Sequence, residues 1–484
     1  MEKYGVKNYK LIKDYVFDLN KINIAVGENS SGKSSFLRSL QLIKQSIPFS
    51  LKKLHTNLNN GIDFGEYFNL VTEGNMEEFI KFEIVFNNIV GTVYGDMILE
   101  GVSLEYKQNL LEVINVKLNE GNLIVIFSKE NKVSGIKFNG IDLLKEINEE
   151  IVIKNIHENC FPILLFKNSL NNTVTFYLEN FLDNDLNFQK KSTSDIDLFK
   201  FLLRNDIYLN KELKFVLKEE NNKKKENIKL LTAINNRKKL IQNELKIMVQ
   251  QILENTENKL RTEFENIIYI GPIRAIGERY YRIIEEDIDK KYTVINNDVS
   301  RKLYNLSVND SIDKFNKFIR QYFDFDININ TLKNNNEEDI FFSIEIDKKG
   351  DKKNLLDVGA GYSQLIPIIY TCFGKDRNEQ RAIIIIEQPE LHLHPKMQSD
   401  LIDFILKLSK KNSNLKFVIE THSSLIIDRI GKNVFRKNYN SNDINIFIFN
   451  RKEELIIEKT KYNDEGILEK WPIRFFSAKE INKW

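Results

Sequence analysis

Very little in this chain marks it as secreted, membrane-spanning or built around a structural metal. Of its 484 residues only two are cysteine, Cys160 and Cys372, far apart in sequence. Two such residues cannot form a disulfide framework or, alone, a zinc site, and they fit a reducing cytoplasm. The stretch Met1-Glu2-Lys3-Tyr4-Gly5 carries no apolar signal region. The longest apolar runs, such as Ala382 to Ile386, fall far short of a membrane span. Net charge is only +2, so there is no global electrostatic case for nucleic acid or membrane, and any basic surface must be local. Low-complexity tails and internal repeats are missing too. The expectation is a cytoplasmic globular chain with the mass of two or three domains.

What is present begins with Gly27-Glu28-Asn29-Ser30-Ser31-Gly32-Lys33-Ser34, followed by Ser35. This is the G-x-x-x-x-G-K-[ST] pattern of a phosphate-binding loop. Its flanks raise it above a chance match. Ile22 to Val26 reads as a strand, and Ser34 to Ile47 places Phe36, Leu37, Leu40 and Ile43 at helical spacing before Pro48. Strand, glycine loop, helix is the arrangement that lets backbone N–H groups and a helix N-terminus cradle phosphate. Lys33 would reach the outer phosphates and Ser34 would hold Mg²⁺. The candidate nucleotide binders here are Gly27, Asn29, Ser30, Ser31, Gly32, Lys33, Ser34 and Ser35.

Two more strands carry polar ends. Arg381 to Ile386 is a β-branched run of the kind buried on both faces of a parallel sheet, and it ends in Glu387-Gln388-Pro389-Glu390. Ligands bind at the C-terminal edge of such sheets, so Glu387 is placed to reach the water shell of Mg²⁺ beside Ser34. Phe417-Val418-Ile419-Glu420-Thr421-His422-Ser423 is a shorter strand ending in a histidine that can bond a γ-phosphate or orient water. A fourth piece, Asp357 to Leu365, runs through Gly359, Gly361, Ser363 and Gln364 into an apolar helix. It reads either as an anion site at a helix N-terminus or as an ordinary start capped by Ser363.

Between these motifs the composition shifts. Residues 76–140 alternate apolar and polar, as in Phe79-Ile80-Lys81-Phe82-Glu83-Ile84-Val85-Phe86, and predict a run of antiparallel strands. From Ser192 to Glu265 glycine and proline vanish. Leu231, Ile234, Ile241, Leu245, Met248 and Ile252 fall on an a/d stripe, broken at Lys238. That stripe suits a projecting helical arm, and equally a helix laid along the core. The chain therefore divides into residues 1–191 with the phosphate loop, a helical insertion over 192–265, and residues 266–484 with the remaining motifs.

In this order the motifs resemble the ABC-type ATPase head, in particular the stand-alone bacterial AAA-type ATPases related to the overcoming-lysogenization-defect and RecF-like heads. Asn59-Asn60-Gly61-Ile62-Asp63-Phe64-Gly65 is similar to that branch's G-x-D-x-G turn, and Tyr269 to Arg274 to its Y-x-G-P-x-R motif. Glu387-Gln388-Pro389-Glu390-Leu391-His392-Leu393-His394-Pro395 matches its Walker B segment. Trp471 to Phe476 looks like its C-terminal W-P-x-G-F-F element, with Arg474 in place of glycine. The resemblance implies an α/β P-loop NTPase head with a mixed sheet, an antiparallel β subdomain and a helical insertion. It implies ATP and Mg²⁺ as ligands, and a head-to-head homodimer enclosing two nucleotides. Gly359 to Gln364 would be the signature segment completing the partner's site, though it reads Gly-Ala-Gly-Tyr-Ser-Gln instead of Leu-Ser-Gly-Gly-Gln. His422 would be the switch histidine, and His392 and His394 part of the turn after Walker B. A separate nuclease or toxin would be the effector, as in anti-phage systems. A DNA-clamping repair ATPase is the alternative, and a transporter motor the weaker third. Transport heads end the Walker B strand in Asp-Glu, the glutamate acting as base. Here Gln388 cannot accept a proton, which leaves Glu390 or His422 as base beside Glu387 and implies slow turnover.

Overall fold

The computed structural model describes residues 1–46, 62–92, 95–119, 121–128, 133–143, 151–154, 163–166, 248–272, 278–283, 299–333, 339–377, 381–451 and 453–470. The motif residues Asn59 to Gly61, Ile273, Arg274 and Trp471 to Phe476 lie outside these, as do Leu231, Ile234, Ile241 and Leu245.

The strands in chain order are β1 (Lys3–Tyr9), β2 (Ile12–Asp18), β3 (Ile22–Gly27), β4 (Ile80–Thr92), β5 (Gly95–Lys107), β6 (Leu110–Leu118), β7 (Gly121–Phe127), β8 (Val133–Phe138) and β9 (Ile141–Asp142). They continue as β10 (Ile151–Lys154), β11 (Ile163–Phe166), β12 (Ile267–Ile270), β13 (Tyr281–Arg282), β14 (Asp326–Lys333), β15 (Asp339–Lys348) and β16 (Asp351–Asn354). The last four are β17 (Ala382–Glu387), β18 (Leu415–Glu420), β19 (Ile444–Arg451) and β20 (Leu455–Thr460). The helices are α1 (Lys33–Ser46), α2 over 248–265, α3 (Val299–Val308), α4 (Ile312–Ile319), α5 (Ala360–Arg377), α6 (Pro395–Lys411) and α7 (Ser424–Phe435).

The central sheet has six strands in the order β12-β17-β18-β3-β19-β20. Every pairing is parallel except that of β19 with β20. The β-branched run of β17 is explained by this position. Ile383 and Ile385 join one core cluster and Ile384 and Ile386 the other, so consecutive side chains bury on opposite faces. The first cluster contains α1, through Phe36, Leu37 and Leu40, and the buried face of an eight-stranded antiparallel sheet, β2-β1-β4-β5-β6-β7-β8-β9. The second contains α3 to α7 and strands β14 and β15. This is the mixed α/β head with an antiparallel subdomain that the motifs implied.

The expected run of antiparallel strands is present as β4 to β9. In β4 the alternation is literal: Ile80, Phe82, Ile84 and Phe86 are buried, while Lys81, Glu83 and Val85 are half-buried. Within the helical stretch only α2 is described, and it lies along the core. Met248 and Ile252, two members of the a/d stripe, are 1% and 2% exposed and belong to the first cluster with Val249, Leu253, Leu260 and Phe264. For these residues the stripe is a core face. Glu263 near the end of α2 pairs with the amino group of Met1 at 2.7 Å.

Burial at Met248 generates a stability prediction. Met248→Glu places an unpaired charge in the first cluster and should cost about 3 kcal/mol or more in urea unfolding. A loss below about 0.5 kcal/mol, as for a surface change, would show that this face is not packed.

Candidate nucleotide site at the edge of the central sheet

The phosphate loop leaves β3 in a conformation that requires glycine. Gly27 has φ of 151°, and a Cβ there would lie 2.1 Å from the backbone oxygen of Phe449 on β19. Gly32 has φ of 100°, and Ser30 also adopts a positive φ of 60°. Lys33 opens α1 and folds back over the loop. Its Nζ donates to the carbonyls of Gly27 at 2.9 Å and Glu28 at 2.7 Å. Burial lowers its pKa, against the pull of Glu420, Glu390 and Glu28. Ser31 is fully buried, and its hydroxyl has no hydrogen-bond partner among the described residues. Asn29 and Ser30 are exposed, while Ser34 and Ser35 are half-buried.

Strand order decides which acids meet this loop. β18 lies directly against β3, and β17 lies one strand further out. The last residues of the two strands, Glu387 and Glu420, are direct register partners. Ser34 Oγ donates to Glu420 Oε1 at 3.0 Å. Glu387 is held instead by Arg38, one helical turn after Ser34. Arg38 Nε reaches Oε1 at 3.0 Å and Nη2 reaches Oε2 at 3.1 Å. Arg38 Nε also approaches the Tyr269 hydroxyl, at 3.4 Å, from the end of β12. The second Glu420 oxygen, Oε2, is buried with no hydrogen-bond partner among the described residues.

The other acids and the histidine are braced. Gln388 turns the chain at φ of 44°, its N–H donating to the Glu420 carbonyl at 2.8 Å. Glu390 accepts from the Thr421 hydroxyl at 2.9 Å and from the His422 N–H at 2.6 Å, tying the turn after β17 to the turn after β18. His422 Nε2 lies 3.9 Å from Glu420 Oε1. Burial, reinforced by Lys33, brings its pKa down to about 4, so the ring is neutral at pH 7. Burial, with the Glu387 carboxylate next, pushes Glu420 up to about 7, against Ser34, Lys33 and Arg38.

Gly27 to Ser35, Glu387, Gln388, Glu390 and His422 thus gather at the C-terminal edge of three adjacent strands. The signature-like segment has its own neighbourhood. Gly359 is exposed at φ of 91°, and Gly361 packs on the turn after β17, where a Cβ would meet His392 O and Met397 Sδ at 3.3 Å each. Ser363 and Gln364 are buried, and the Ser363 hydroxyl donates to the Ala360 carbonyl at 2.8 Å. His394 caps α6, its Nδ1 accepting from the Lys396 N–H at 3.4 Å. Sequence reasoning missed Arg38, Tyr269 and Glu420 as site residues. The i, i+4 spacing of Ser34 and Arg38 on one helix face was an available signal. So was the acid at the end of β18.

The donor set fits a magnesium-bound triphosphate. An orphaned hydroxyl at Ser31 and an orphaned carboxylate oxygen at Glu420 are unmet acceptors and donors of the kind a ligand completes. A hydroxyl and two carboxylates are few, which suits an ion that keeps water and phosphate among its ligands.

With the geometry in place the comparisons fall into line. Residues 1–427 match the AAA ATPase domain family, and the chain belongs to it. Among curated proteins it is similar to Endonuclease GajA of Bacillus cereus (strain HuB5-5), 27% identical over 214 residues. That similarity covers 36% of this chain and spans 30% of the relative's length. Among solved structures it is similar to an Smc head domain from Pyrococcus furiosus bound to the C-terminal domain of ScpA, at TM-score 0.38 and 12% identity over 95% of this chain and 96% of that one. A Pyrococcus yayanosii Smc head gives 0.39 and 12%, over 96% and 97%. At such scores these likenesses carry nothing further. No helix among the described residues is long and apolar enough to cross a membrane.

Two buried groups at this site titrate in opposition. Glu420 rises from an ordinary 4.5 to about 7, so the native state holds the extra proton and stability falls as pH climbs through that window. His422 drops from 6.5 to about 4, so the unfolded state holds the extra proton and stability rises between those values. In the nucleotide-free chain the two slopes oppose each other. Denaturant unfolding from pH 4 to 8 should therefore rise with pH in Glu420→Gln and fall with pH in His422→Asn, each relative to wild type. Equal profiles in all three chains would show that neither group is perturbed.

Proposed function

We propose that the chain is an ATP-dependent switch: it binds Mg–ATP at the loop, pairs head to head with a second copy around two nucleotides, hydrolyses slowly, and governs a separate effector. The observation that carries this reading is that the two acids flanking Gln388 are already engaged. Glu387 is bound by Arg38, Glu390 by Thr421 and the His422 backbone, and Glu420 by Ser34. The place after Glu387 holds Gln388, which cannot take a proton. A positioned base contributes about 10²–10⁴-fold, and its lack favours a long-lived ATP state.

In that state Ser34 and an acid at a neighbouring strand end would hold magnesium, which would offset phosphate charge. Lys33 would leave the Gly27 and Glu28 carbonyls for phosphate oxygens. The Ser31 hydroxyl and the loop N–H groups would complete the cradle. His422, neutral, would accept or donate one hydrogen bond near the γ-phosphate. Gly359, Gly361, Ser363 and Gln364 would complete the site of the second copy through the exposed end of α5.

The defence setting rests on the motif resemblance. The proposal of a separate nuclease or toxin as effector rests on the same resemblance. The DNA-clamping reading uses the same ATP-closed dimer. Its basic residues, Lys223, Lys224, Lys225, Arg237, Lys238 and Lys239, lie outside the described residues.

Light scattering should show a mass increase with a non-hydrolysable ATP analogue, absent in Lys33→Ala. Equal mass and ATP affinity in the two chains would sink the switch. Unstimulated turnover should lie well below about 10 s⁻¹, near the median for enzymes. Gln388→Glu should raise it if a base is what the site lacks.

A further inference from the structure

The two strand-end acids are conventionally alike, yet this structure gives them different electrostatic surroundings. Glu387 spends both carboxylate oxygens on one guanidinium, with Arg38 at 3.0 and 3.1 Å in a parallel two-bond fork. A divalent cation approaching Glu387 would meet that positive charge first. Glu420 spends one oxygen on Ser34, the hydroxyl through which the loop holds the ion, and keeps the other buried without a partner. Strand order supports the same division, because β18 separates β17 from the loop strand. Glu420 pairs in register with Ala25 of β3, whereas Glu387 is a strand away.

We propose that Glu420, and not the Walker B acid Glu387, is the carboxylate that meets the magnesium of bound nucleotide beside Ser34, while Arg38 holds Glu387 as a positioning pair. This rests on the ATP-binding reading above and deepens it. In this arrangement Ser34 and Glu420 would hold the metal on the β18 side of the loop, giving up their own hydrogen bond to do so. Glu387, neutralised by Arg38, fixes the start of α1 against the end of β17, and with it the direction in which Ser34 points.

The test measures ATP affinity of the full chain by calorimetry across a series of Mg²⁺ concentrations, a readout independent of hydrolysis. Wild type should bind more tightly as Mg²⁺ rises, with a defined midpoint. Glu420→Gln, nearly the same shape, should move that midpoint upward about tenfold or more, the usual scale for a disturbed metal environment. It should leave metal-free ATP binding intact or tighter, since a negative charge near the triphosphate is gone. Glu387→Gln should move the midpoint much less. Glu420→Asp keeps the charge on a shorter stem and should fall between wild type and Glu420→Gln. It decides the matter by itself if thermal melting shows Glu420→Gln to be unfolded. A midpoint moved by Glu387→Gln and not by the Glu420 variants overturns the proposal, and so does a midpoint unmoved by any of them. A wild-type chain that binds no ATP at any Mg²⁺ concentration overturns the ATPase reading itself, a result distinct from either.

Discussion

Everything at the nucleotide edge depends on β18 lying between β3 and β17. Parallel pairing on both sides of β18 brings the ends of three strands level, so that Ala25, Glu420 and Glu387 form one row. A loop that begins two residues past Ala25 then faces two buried carboxylates that would repel each other. The chain answers with two cations from the same helix, Lys33 at its first residue and Arg38 just over one turn later. Arg38 is anchored on Glu387. Lys33 stays within reach of Glu420 and Glu390 while its own hydrogen bonds go to loop carbonyls. The result is a site whose charges are nearly matched without ligand, so that an incoming polyanion with its metal rearranges partners that already exist.

The second constraint is the brace between the two turns. Glu390 gives one oxygen to the Thr421 hydroxyl and the other to the His422 N–H, and Ser423 in turn donates to Gln398 Oε1 at 2.7 Å on α6. The histidine's backbone is therefore fixed by the segment that follows β17. Gly361 leans on the same segment from α5. His422 and the signature-like segment thus both touch the turn that follows β17.

The loop, the strand before it and the helix after it were legible in sequence because each needs particular residue types: glycine where φ is positive, and apolar side chains at fixed spacing. The antiparallel sheet was legible for the same reason, through the strict alternation in β4. The β17 run announced burial on both faces, and the two clusters divide it as expected. What could not be read was adjacency. Nothing local says that β18 sits beside β3, so the contact of Glu420 with Ser34 could not be read although its motif was in view. Arg38 was hidden likewise, since its partner is 349 residues away. The a/d stripe failed to choose between arm and core because both demand the same apolar face, and for Met248 and Ile252 tertiary packing made the choice.

The contact between Gly27 and Phe449 has a consequence for the order in which the molecule can be assembled. β3 (Ile22–Gly27) precedes by far both of its sheet neighbours, β18 (Leu415–Glu420) and β19 (Ile444–Arg451). Until Ile444 to Arg451 is in place, the first residue of the phosphate loop lacks the strand it packs against. Pairings of this sequence separation close slowly, and the surfaces awaiting them are apolar. The loop gains its full surroundings only when β18 and β19 pair on either side of β3.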